Sequence, residues 1–138
     1  METIRMLTGS CLCKRIQYSI TGNIGDIVHC HCETCRKAHG AAFSSVASVE
    51  DSNFNVLNGQ GSLKSFESSV GKKRFFCGDC GSQIYAKRDN TKHIILRMGS
   101  LDSAPVSLEK EHIWVSQKAS WYTINNPLPE HQEFKPKH

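Results

Sequence analysis

Cys30-His31-Cys32-Glu33-Thr34-Cys35 puts three sulfurs within six residues, and the fold is read outward from this stretch. A strand that ends near Cys30 and curls into a helical turn can gather three thiolates around one ion. The other four cysteines fall into two pairs, Cys11-Leu12-Cys13 and Cys77-Gly78-Asp79-Cys80, and none lies outside these clusters. Seven is an odd number and cannot pair off as disulfides. The opening METIRMLTGS lacks the apolar stretch of a secretory signal, so a reducing, cytoplasmic location is expected. Clustered cysteines there read as metal ligands.

A structural zinc takes four ligands in a closed tetrahedron, whereas a catalytic zinc keeps three protein ligands and one open position. Seven sulfurs divide naturally as four plus three. Cys77 and Cys80 form a knuckle with Gly78 and Gly81, half of a four-sulfur site, and Cys11 with Cys13 is the pair left to complete it. Such a clip joins distant parts of the chain, and coordination can contribute on the order of 10 kcal/mol to folding. That helps a chain only 38% apolar, whose core is thin.

Cys30, Cys32 and Cys35 then form the second site, whose fourth position no cysteine fills. His29, His31 and His39 are candidates to close it, His39 foremost because it lies four residues, about one helical turn, beyond Cys35. His31 points away from its two neighbouring sulfurs if the strand continues to Cys32. A thioredoxin-like redox site is disfavoured, since neither CxxC sits in a β-α-β pattern.

Ile16, Tyr18 and Ile20 alternate with polar residues, as in a strand with one buried face. Similar stretches recur at 27–30, 42–49, 63–66, 74–77, 83–86, 94–98 and 112–115, punctuated by glycine. The one helical candidate is 33–39, about two turns. The expected fold is mainly β, with short antiparallel strands in a barrel or sandwich. The length of 138 residues suits one domain spanning 1–138, with a core at about 5–130. The proline-rich, polar tail at about 131–138 is expected to be poorly ordered, although Phe134 can dock.

A formal charge of +4 with scattered lysines and arginines does not favour nucleic acid as the partner. No apolar run of about eighteen residues suggests a membrane span.

Taken together, Gly9-Ser-Cys11-Leu-Cys13, Cys30-His-Cys32-Glu-Thr-Cys35-Arg-Lys37, Phe76-Cys77-Gly-Asp-Cys80-Gly-Ser82, Gly99-Ser-Leu-Asp102 and His112-Ile-Trp114-Val-Ser-Gln-Lys118-Ala-Ser-Trp121 resemble the glutathione-dependent formaldehyde-activating (GFA) and CENP-V domain family. The resemblance implies an Mss4-like zinc-stabilised β fold. It also implies a structural zinc on Cys11, Cys13, Cys77 and Cys80 and a second zinc on Cys30, Cys32 and Cys35. The chemistry implied is that of a carbon-sulfur lyase run in reverse, in which the glutathione thiol adds to formaldehyde to give S-hydroxymethylglutathione, or a related addition of a thiol to an aldehyde. Arg36 and Lys37, next to Cys35, are candidates to attract glutathione carboxylates. Phe43 and Trp121 are candidate pocket walls, although aromatic residues in so small a domain more often pack the core.

Two other functions compete. In a non-catalytic, zinc-stabilised protein-interaction module both metal sites would be closed. Methionine sulfoxide reduction would need a reactive cysteine free of metal, and all seven are already assigned.

Overall fold

Alternating burial sets the strands. Tyr18 and Ile20 are fully buried, as the period-two pattern predicts, although Ser19 between them is buried as well. The computed structural model describes residues 6–135. Its elements are β1 (Met6–Ser10), β2 (Gln17–Thr21), β3 (Ile27–Cys30), α1 (Glu33–His39), β4 (Ser44–Glu50), β5 (Phe54–Asn58), β6 (Leu63–Ser69), β7 (Lys72–Cys77), β8 (Gln83–Arg88), β9 (His93–Arg97) and β10 (Glu109–Ile113). The mainly β expectation holds, and the helix falls on the predicted residues. Strands β1 and β5 were not anticipated.

Two sheets form, β1-β2-β5 and β10-β3-β4-β9-β8-β7-β6. Pairing is antiparallel except between β3 and β10, which run parallel. Directly opposed residues share a sheet face, so the register sorts the side chains. Val49 opposite Ile94 and Ala47 opposite Leu96 face the core. There Leu7, Tyr18 and Ile20 of the smaller sheet join Val49, Ile84, Ile94 and Leu96 in one apolar cluster. The Tyr18 hydroxyl, carried into this interior, is satisfied at 2.7 Å by Ser100 Oγ. Gly9 must lack a side chain, because a Cβ there would lie 2.1 Å from the Tyr18 ring.

The other face of the larger sheet carries Val46 opposite Arg97, Ala86 opposite both Ile95 and Arg74, and Arg88 opposite Lys72. Helix α1 begins at Cys32, its N-cap, and ends at Gly40, whose φ of 58° closes the last turn. Part of the expected tail is tied down: Trp114, Val115 and Ser116 donate backbone hydrogen bonds to Glu133, His131 and Gln132. Phe134 meets Trp114 edge-on at 5.3 Å. Residues 1–5 and 136–138, including the end of the predicted tail, lie outside the described residues.

Candidate functional site

Two turns build the four-sulfur cluster. After β1, Cys11 N–H donates to Ile16 O and Lys14 N–H donates back to Cys11 O, with Lys14 at a φ of 69°. After β7 the pattern recurs: Cys77 N–H donates to Ser82 O and Gly81 N–H to Cys77 O, with Gly81 at 81°. Positive φ at both positions lets the chain reverse tightly around a pair of sulfurs. Ser82 Oγ accepts from Leu12 N–H at 2.9 Å and so joins the two turns.

The four sulfurs lie within 4.8 Å of one another. The Cys11–Cys13 and Cys13–Cys77 separations are 3.5 and 3.8 Å. A zinc–sulfur bond of about 2.3 Å gives a tetrahedral edge of roughly 3.8 Å, so the donors fit a zinc ion. Because Cys11 follows β1 of one sheet and Cys77 ends β7 of the other, the cluster clips the sheets together.

Cys30, Cys32 and Cys35 also converge, with sulfurs within 4.8 Å of one another. Cys30 ends β3, and Cys32 Sγ caps α1 by accepting from Cys35 N–H at 3.3 Å. Cys35 is buried in the first helical turn. Hydrogen bonds from Cys30 and Cys32, with further ones from Ser44 and Arg74, pull the Cys35 thiol well below the usual range. The same sulfur contacts, with burial, push Cys30 upward. Three soft donors that share protons in this way suit a thiophilic cation.

Among the described residues, no histidine or carboxylate joins this trio within the same distance. His29 is engaged by Ser45 Oγ and Glu109, each at 2.9 Å. His31 does not join the trio: β3 ends at Cys30 rather than continuing to Cys32, and the ring is fully buried, with Nε2 2.7 Å from His112 Nδ1. His39 lies apart from the trio, and burial, followed by the nearby Arg97 charge, holds its pKa down to about 4.

Arg36 and Lys37 project elsewhere. Arg36 Nε donates to Gln117 O at 3.1 Å, and Gln117 Oε1 accepts from Glu33 N–H, so this pair anchors the helix start. Lys37 is 75% exposed and sits 3.6 Å from Glu33. Phe43 packs against His29 and His31. The core expectation fails for Trp121, which is 71% exposed, while its neighbour Tyr122 packs on Phe43. The sequence reading missed Arg74, whose Nη2 lies 3.7 Å from Cys35 Sγ. It is far away in sequence and carries no motif of its own.

The glutathione-dependent formaldehyde-activating enzyme family model matches residues 6–117, and the chain belongs to that family. It is 29% identical over 85 residues to an uncharacterized lyase of Schizosaccharomyces pombe, a match that covers 62% of this chain and 60% of that protein. A crystal structure of a Rhodobacter sphaeroides protein superposes with a TM-score of 0.60 at 20% identity, covering 72% of this chain and 91% of that one. That likeness shows the fold. No helix among the described residues is long and apolar enough to cross a membrane.

Proposed function

We propose that the chain is a zinc-dependent enzyme of the carbon-sulfur lyase type, acting on an aldehyde and a thiol such as glutathione. The observation that carries this reading is the trio Cys30, Cys32 and Cys35, with no fourth histidine, cysteine or carboxylate among the described residues to close it. In the addition direction, the reverse of lysis, the thiol sulfur bonds to the aldehyde carbon, the carbonyl π pair becomes an alkoxide, and the thiol proton ends on that oxygen. The products balance as a hemithioacetal, and no oxidant is needed. The four-sulfur cluster would hold a structural zinc, and Cys30, Cys32 and Cys35 a second zinc.

When bound to the trio, zinc would supply an open position that stabilises thiolate sulfur more than it polarises carbonyls, because three thiolates lower its Lewis acidity. The chain's own residues prepare that position. Cys32 is fixed as a helix cap, so its sulfur does not depend on an ion for orientation. Arg74 offsets the negative charge at Cys35. A reducing cytoplasm would supply the thiol and keep all seven cysteines free.

Metal analysis with glutathione titration tests the reading. Two zinc ions per chain are expected, with saturable glutathione binding that disappears in Cys32→Ala. One zinc and no thiol binding would favour the protein-interaction module instead.

A further inference from the structure

Lys72, Arg74, Arg88 and Arg97 come from three strands and form no ion pair among the described residues. The register explains how they meet. Lys72 opposes Arg88, Arg74 shares Ala86 with Ile95, and Arg97 follows two residues after Ile95, so all four point from the same side of the sheet. They line one cavity of about 280 Å³ together with Cys30, Cys32 and Cys35. No aspartate or glutamate among the described residues lines it.

Arg74 and Arg97 are each only 4% exposed, yet Arg74 Nη1 and Arg97 Nε and Nη2 are buried without a partner. Lys72 is held down to about 8, first by burial and then by Arg88, Arg74 and Arg97. Gathering like charges at reduced dielectric costs stability unless an anion completes the set. The sulfurs do so only in part, since three thiolates around a divalent ion leave one net negative charge against four cations. The same cavity has an aromatic lining. Trp114 takes a φ of 58°, unusual for so bulky a residue, and lines the cavity with Phe134.

We propose that this cavity recognises a small carboxylate-bearing thiol, with its carboxylate held by Lys72 and Arg88 over Arg74 and Arg97 and its sulfur directed to Cys30, Cys32 and Cys35. The proposal rests on the thiol-binding reading of that trio and adds the charge the thiol must carry. It moves anion recognition from the outer face of α1, where Arg36 and Lys37 sit, to the sheet beneath. The cavity is at the small end of ligand sites, which suits an acid of a few carbons or a short peptide.

Calorimetric titration of the zinc-loaded protein tests it, comparing 3-mercaptopropionate with 3-mercapto-1-propanol and glutathione with its dimethyl ester. The acid of each pair should bind roughly tenfold more tightly, an advantage that shrinks as salt rises. In the double variant Lys72→Gln/Arg88→Gln the acid-to-neutral ratio should fall to about threefold or less. Neither residue is fully buried or bonded to a sulfur, and circular dichroism with zinc content verifies the fold. Should the variant fail to fold, the salt dependence of the unaltered protein decides.

Equal affinity for acid and neutral thiol, or a ratio unchanged in the variant, would overturn the proposal while leaving thiol binding in place. Binding of propionate with neither thiol bound would instead overturn the thiol-binding reading beneath it.

Discussion

The two cysteine clusters are built on opposite plans. Cys11, Cys13, Cys77 and Cys80 come from turns of two different sheets, the leading cysteines of the two pairs standing 66 positions apart. Cys30, Cys32 and Cys35 come from one continuous strand-to-helix corner. An ion in the first cluster closes a long loop and joins two layers, whereas an ion in the second orders a segment that a helix cap already orders. The four-sulfur turns are closed by backbone hydrogen bonds and Cys11 borders one cavity, whereas all three sulfurs of the trio line another, together with Lys72, Arg74, Arg88 and Arg97. We propose that folding and chemistry are divided between these two sets of sulfurs, and each substitution below tests that division.

The largest effect is expected for Cys77→Ser. Cys77 is fully buried, and its loss would remove coordination that contributes on the order of 10 kcal/mol, comparable to the net stability of a whole domain. The variant should be largely unfolded at room temperature by far-UV circular dichroism. A native spectrum with both sheets intact would break the comparison.

Cys32→Ala should stay folded. It loses a helix cap, worth about 1 kcal/mol, and one zinc, worth about 2.7 kcal/mol when free zinc stands a hundredfold above the dissociation constant. Denaturant unfolding with and without zinc separates the two contributions. A loss as large as that of Cys77→Ser would show that the trio also holds the fold together.

Gly9→Ala probes the four-sulfur side without touching a ligand. Its new Cβ would fall 2.1 Å from the Tyr18 ring, two residues before Cys11. Overpacking of this kind costs about 1–3 kcal/mol. The thermal midpoint should drop while glutathione affinity at the trio holds, as measured by titration below the new midpoint.

The trio and the helix were legible in the sequence because their information is local, and the four-sulfur pairing followed from the count of cysteines left over. Sulfur spacing, Gly81, and the step from Cys30 to Cys35 need no tertiary knowledge. Strand β1 escaped notice because five residues containing Gly9 carry too little alternation. Strand β5 escaped because its Phe54 and Val56 are only half-buried. The cation-lined wall was invisible for a deeper reason. Lys72, Arg74, Arg88 and Arg97 look like ordinary solvated charges until strand register places them on one face under α1. Arg36 and Lys37 drew attention only because they adjoin Cys35.

His39 offers the smallest and most diagnostic effect, because it is the residue that would make the two clusters alike if it closed the trio. Its folded pKa of about 4 lies below the ordinary 6.5 of an unfolded histidine. Between those values the unfolded chain binds more protons, so stability is intact above about pH 6.5 and falls as pH drops toward 4. One proton limits the slope to about 1.4 kcal/mol per pH unit. His39→Leu should flatten the acid limb of the stability curve by up to that amount, leaving a residual slope from buried His31, which is likewise held down to about 4, first by burial. Zinc content should remain at two ions per chain, because the imidazole stands apart from the three sulfurs. A variant retaining only one zinc would mean that His39 is a ligand, that the second cluster is closed like the first, and that the division between a folding metal and a working metal is lost.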